Sequence, residues 1–189
     1  MIERKKRLSL KEYTLLCARE MRTHWRQMLA PIAAILFLQL FFRIDINYTD
    51  SLPHHAYITI KGSGWNLKRG DYAVFGFPNE NPASPFRKGD HLVKIVAGVP
   101  GDTVVVDENG TVRILSQDQP GLAKLGGFPA GIAKPYSKSG RALDPIKGGV
   151  IPDGFYYMYA PHTDSLDSRY SMVGLVNQSH IHGVTLPIF

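Results

Sequence analysis

Leu92-Val93-Lys94-Ile95-Val96-Ala97-Gly98-Val99-Pro100-Gly101-Asp102 decides how the rest of the chain is read. It is an apolar, β-branched run of strand length closed by a Val-Pro-Gly-Asp turn. One lysine stands inside it. A solvated lysine on a surface strand is the plain reading. The neighbours on both sides are apolar, however, so neither face of this strand reads as wet. An ammonium placed there loses its water, and desolvation favours the neutral amine, which is a base. A lysine base needs a nucleophile to serve.

Outward from this strand, the sequence divides by charge. The net charge is +6. Residues 1–42 hold eight Lys/Arg against three Asp/Glu, and residues 43–189 hold fourteen against thirteen. The basic character belongs to a tail and not to a domain face, which argues against a nucleic-acid partner and for a membrane-proximal segment. Residues 1–27 read as a basic cytoplasmic helical tail. Met28 to Phe42 carries no charge and one polar side chain, Gln39. At about 1.5 Å per residue it spans roughly 22 Å, so Trp25 and the residues to Ile46 and Tyr48 are needed to approach a hydrocarbon core of about 30 Å. A buried core helix is the competing reading. The basic cluster before the run favours an uncleaved membrane anchor over residues 28–46. Its N-terminus is then cytoplasmic, and the remainder lies outside the membrane.

Residues 47–189 read as an antiparallel β-domain. Tyr57–Ile60, Tyr72–Phe75, the lysine strand, Gly154–Tyr159, Gly174–Val176 and Gly183–Phe189 are short strands separated by turns. Asp102–Val106 and Thr111–Leu115 form a hairpin across Asp107-Glu108-Asn109-Gly110, because Asn-Gly suits a hairpin turn. Residues 116–150, rich in Gly, Pro, Ser and Lys, read as a long, partly irregular excursion. Cys17 permits no internal disulfide. His54 and His55 lie beside Ser51, but side chains a few positions along an extended segment point away from it. His180 and His182 stand at strand spacing with no third ligand near, so no metal is expected.

Three polar segments combine with the lysine strand. They are Asn47-Tyr48-Thr49-Asp50-Ser51-Leu52-Pro53, Arg69-Gly70-Asp71-Tyr72-Ala73-Val74-Phe75, and Ser165-Leu166-Asp167-Ser168-Arg169-Tyr170. Their order and spacing resemble the type I signal peptidase family. Within it, the single residue between Ser51 and Pro53 is similar to the Asn-x-Thr-x-Ser-x-Pro pattern of TraF-type peptidases of conjugative transfer. Tyr159-Ala160-Pro161 stands where the housekeeping enzyme has Gly-Asp-Asn, and His55 stands where TraF-type chains usually have glycine.

The resemblance implies a mainly β, signal-peptidase- or LexA-like domain behind an N-terminal anchor helix. It implies a serine endopeptidase in which Ser51 is the nucleophile and Lys94 the general base. It further implies that Ser165 orients the lysine, that Thr49 supports the oxyanion site, and that Asp167 and Arg169 form a structural ion pair. Asp164 is a further possible contributor. No cofactor is implied. The partners it implies are the lipid bilayer and exported precursors cut after small residues, foremost the pilin precursor of a conjugation system, with cyclisation of the product left open. The implied location is the bacterial inner membrane, single-pass, with the catalytic domain periplasmic. A general housekeeping signal peptidase, a soluble LexA-type autoprotease and an inactive pilus-assembly protein on the same scaffold are the alternatives.

Overall fold

The computed structural model describes residues 9–78 and 84–188. The expected helix start over residues 2–8, with its first basic residues, lies outside the described residues, as do positions 79–83 of the proline-rich loop. The chain divides into two units, residues 1–41 and residues 42–189.

The first unit is one helix, α1 (Leu10–Phe41). Its start is written in Ser9-Leu10-Lys11-Glu12. The Glu12 N–H donates to Ser9 Oγ and the Ser9 N–H donates to Glu12 Oε2, a reciprocal capping box. The tail and the apolar run are therefore continuous helix rather than two elements, and Pro31 is accommodated within it. Leu29, Ile32, Ile35, Phe37 and Leu40 are all exposed on α1. Among the described residues, no helix is long and apolar enough to cross a membrane.

The expected anchor over residues 28–46 needs correction at its end. Phe42–Ile46 is a strand, β1, paired in register with β2 (Ala56–Lys61) from Phe42↔Ile60 to Ile46↔Ala56. Polar partners hold it there. Asp45 is buried, accepts from Arg43 Nε at 3.0 Å, and accepts from the Thr59 hydroxyl on β2. A carboxylate satisfied by a strand neighbour and a cross-strand hydroxyl fits a sheet, and a helix continued through Arg43 and Asp45 would lose both contacts.

The second unit is built on two antiparallel sheets. Its other strands are β3 (Tyr72–Gly76), β4 (His91–Gly98), β5 (Thr103–Val106), β6 (Thr111–Leu115), β7 (Phe128–Ile132), β8 (Gly149–Val150), β9 (Phe155–Tyr159), β10 (Val176–Asn177) and β11 (Ile181–Pro187). The larger sheet runs β1-β2-β11-β3-β4-β9-β10 and the smaller β7-β6-β5-β8. The lysine strand β4 is interior, paired with β3 (Ala73↔Lys94) and β9 (Ile95↔Tyr159). Its apolar character follows from that place, since an interior strand covered on both faces cannot alternate.

Residues 116–150 are more ordered than their composition suggests. After a short helix, α2 (Pro120–Lys124), they supply β7 and β8, which flank the expected β5–β6 hairpin. Ala97 and Tyr157 of the larger sheet pack with Val104, Val112 and Ile114 of the smaller, so the excursion closes a core. A second core gathers Ala73, Phe75, Leu92, Val96 and Met158, and a third gathers Leu52, Tyr57, Val74, Val93 and Ala160.

The Val-Pro-Gly-Asp turn ties two motif segments together. Gly101 has φ +89°, a conformation that L side chains rarely adopt. Asp102, buried, takes the Val99 N–H at 2.9 Å and the Arg69 Nε–H at 2.9 Å. Beside it the Gly70 N–H donates to the Val96 carbonyl and the Val96 N–H to the Asp71 carbonyl. The Arg-Gly-Asp turn is thus pinned to the end of the lysine strand.

Gly183 of β11 sits where a Cβ would lie 2.0 Å from the Ile60 carbonyl oxygen, and backbone cannot step aside as a side-chain tip can. Gly183→Ala is expected to destabilise the protein by about 3 kcal/mol through overpacking. A lower urea midpoint with unchanged slope is the expected reading, and an unchanged midpoint refutes the close approach.

Candidate active site

The site begins at the exit of β1. Asn47 Oδ1 accepts the Thr49 N–H at 3.2 Å, an Asx turn that bends the chain. The Asn47 N–H reaches the His55 carbonyl at 2.8 Å and closes the loop on itself. Within it, Thr49 Oγ1 lies 2.8 Å from Asn47 Oδ1 and 2.9 Å from Ser51 Oγ. A hydroxyl has one proton, and an amide oxygen only accepts. Thr49 therefore donates to Asn47, and Ser51 donates to Thr49. Leu52, 3% exposed, plugs the next position into the core shared with Tyr57 and Val93. Ser51 itself is buried.

Lys94 enters from the other side. It lies on the same face of β4 as Leu92 and Val96 and is 4% exposed. Its Nζ donates to Ser165 Oγ at 3.0 Å, with Ser165 also buried. The amine's pKa falls from 10.5 to about 8. Burial is the main cause; Asp167 opposes it and Arg169 adds to it.

The loop bearing Ser165 is held by a buried ion pair. Arg169 Nε and Nη2 each lie 2.9 Å from an Asp167 carboxylate oxygen, and both residues are almost fully enclosed. The remaining N–H of Arg169 Nη2 is shared between the carbonyls of His162 (2.9 Å) and Ser165 (3.3 Å). Asp167 Oδ2 takes the Ala160 N–H at 3.0 Å. Burying two charges is costly unless such further hydrogen bonds satisfy them, and here they shape the loop.

These segments line one cavity of about 470 Å³ that includes Thr49, Ser51, Lys94, Asp164 and Ser165. Ser51 and Lys94 thus open into the same space. Asp164 has another relationship. It pairs with Lys134 Nζ at 2.6 Å and Lys138 Nζ at 3.0 Å. Those two bonds, Lys134 first, hold its carboxyl down at about 2. Sequence reasoning assigned nothing to Lys134 or Lys138, because the excursion that carries them has no periodicity.

It also assigned nothing to His91, Phe86 or His162, which line the cavity. His91 lies against His182 with ring centroids 4.6 Å apart and planes tilted by 59°, and it lies 3.7 Å from Asp45. His54 and His55 turn elsewhere: the first ring meets Tyr57, and the second reaches the Asn47 carbonyl. Among the described residues, no group of three or more His, Cys, Asp or Glu is placed to hold a metal ion.

Comparisons with known proteins match the chain to two relatives and one family. A conjugal transfer protein TraF of Agrobacterium fabrum is 31% identical over 98 residues, 52% of this chain. The chain spans about half the length of that relative (48%). A signal peptidase I from Enterococcus faecalis is 25% identical, with 63% of this chain and 96% of that one covered and a TM-score of 0.34. The family described as signal peptidase, peptidase S26, matches residues 22–189. With that match covering both the Ser51 turn and the Lys94 strand, the chain belongs to the S26 signal peptidase family.

Proposed function

We propose that the protein is a membrane-tethered serine endopeptidase whose Ser51/Lys94 dyad processes exported precursors, specifically the pilin precursor of a conjugative transfer system. The observation that carries the dyad is the Lys94 amine, buried and held by Ser165 in the cavity that Ser51 also lines. The substrate class rests on the Agrobacterium relative named as a conjugal transfer protein.

In this reading the Ser51 proton leaves Thr49 and passes to the neutral Lys94 amine as Oγ attacks the scissile carbonyl. The ammonium so formed protonates the departing amine, leaving an acyl group on Ser51 and a neutral lysine. Water, or an amine of the same substrate, then takes the acyl group. Ser165 keeps Nζ aimed, and the Asp167–Arg169 pair keeps Ser165 in place. The Thr49 hydroxyl, two residues before the nucleophile, borders the developing oxyanion. The exposed apolar side chains of α1 between Leu29 and Phe41, preceded by basic residues, support a tether in the cytoplasmic membrane with the β unit outside it.

Ser51→Ala and Lys94→Met are each expected to lower kcat/KM by about 10³-fold or more, because a dyad fails when either member is lost. Mass spectrometry of a pilin precursor presented to each variant should then show it uncut. Processing that survives Lys94→Met sinks the dyad, since methionine has similar bulk and no base. In the wild type, kcat/KM should rise with pH and level off above about 8, the amine's folded-state value. A flat profile through that range speaks against a lysine base.

The same amine predicts a stability effect. Its pKa is lower folded (about 8) than unfolded (10.5), so the unfolded chain binds its proton more readily. The penalty to folding is full below pH 8 and fades as pH rises to 10.5. Lys94→Met should therefore be more stable than the wild type by about 2–3 kcal/mol near neutral pH, with the gain shrinking in alkaline buffer. Denaturant midpoints at both pH values test this, and a pH-independent difference removes the buried-amine account.

A further inference from the structure

A second cavity of about 390 Å³ adjoins the first and shares Pro85, Lys138, Asp164, Ser165 and Leu166 with it. Its deeper wall is apolar, with Leu143, Tyr170 and Met172. Its mouth is cationic, lined by Lys134, Lys138 and Arg141 of the segment that follows β7. The isolated bridge Tyr136↔Ala142 and the Gly140 N–H to Ser137 carbonyl bond fold that segment into a tight hairpin. Lys134 is anchored as well, since its N–H donates to the Tyr170 hydroxyl at 3.2 Å.

The charges in this mouth do not cancel. Asp164 alone joins the two lysines, one on each carboxylate oxygen. Each ammonium has three donors and spends one on Asp164. Two ammoniums on one carboxylate leave a net positive charge, with further N–H bonds to give, at the rim of a partly apolar pocket. Asp164 acts as a spacer that holds the two lysines a carboxylate's width apart. Because Ser165 forms part of both walls, whatever fills this pocket sits beside the residue that orients Lys94.

We propose that this second cavity is a specificity subsite that receives a carboxylate of the substrate, gripped by Lys134 and Lys138 across from Asp164. The carboxylate is either an acidic side chain or a free chain terminus, and the two share one chemistry. The inference rests on the peptidase reading for its substrate, but its test has a readout of its own.

The probes are short synthetic peptides with small residues at the centre, in three sets. The first has a single Glu moved through each position and an amidated C-terminus. The second is identical with Gln. The third carries Gln and a free terminal carboxylate at varied distance. Binding is measured by fluorescence anisotropy on the full chain carrying Ser51→Ala, and cleavage on the wild type. At one position Glu should bind about tenfold tighter than Gln, as one charge-assisted contact allows. The third set should show that gain only if a terminus is the true ligand. Lys134→Gln combined with Lys138→Gln should bring the Glu/Gln ratio to about one, and added salt should compress it.

Equal binding of Glu, Gln and free-terminus peptides at every position overturns the subsite, as does a preference that survives the double substitution. Because both lysines lie at the surface, circular dichroism of the double variant should match the wild type. Peptides that bind with the carboxylate preference yet are left uncut by the wild type would instead count against the peptidase reading while leaving the subsite standing.

Discussion

Everything about the site depends on keeping one amine dry. Lys94 lies on an interior strand, and both neighbouring strands belong to the same sheet, so no water layer reaches its backbone. A dry ammonium is unfavourable, and the fold offers it little compensation. The group nearest to it in hydrogen-bond terms is a neutral hydroxyl, that of Ser165. The carboxylate that does attract it, Asp167, is already committed to Arg169 and the Ala160 N–H. The sheet thus holds the lysine in a place where its proton is loosely kept, and the ion pair serves the loop and not the lysine.

How much of this was legible in the sequence follows from what kind of signal each element leaves. β4 was legible because an apolar run broken by a single lysine is informative by contrast. The β5–β6 hairpin was legible because Asn109-Gly110 is a local turn signal needing no tertiary context. The polar segments around Ser51 and Ser165 were legible only in combination, since a Ser before Leu-Pro carries little by itself. β7 and β8 were not, because Phe128–Ile132 contains a proline and a glycine, and Gly149–Val150 is too short for any period to show. Their strand character comes from pairing with β6 and β5. The end of the apolar helix is hard to read from sequence for a similar reason. Phe42-Arg43-Ile44-Asp45-Ile46 alternates apolar and polar in the manner of a strand, but its apolar members also extend the hydrophobic run before them, so the two signals overlap.

The lysines beside the second cavity illustrate a different limit. Lys134 and Lys138 sit four residues apart in a stretch without periodicity, and nothing in the sequence links them to Asp164. Only the folded hairpin brings them onto one carboxylate. A region without periodicity therefore carries two lysines of the wall beside the site.

Leu52 sets a last condition. It follows Ser51 in the chain and packs in the cluster that also holds Val93, which precedes Lys94. The Ser51 turn is thus tied to β4 by hydrocarbon contact. Ionic strength has little purchase on such a contact, but cold does, because apolar association weakens as temperature falls. The turn that carries Ser51 accordingly inherits the thermal behaviour of the core beneath it, through a side chain that bears no polar group.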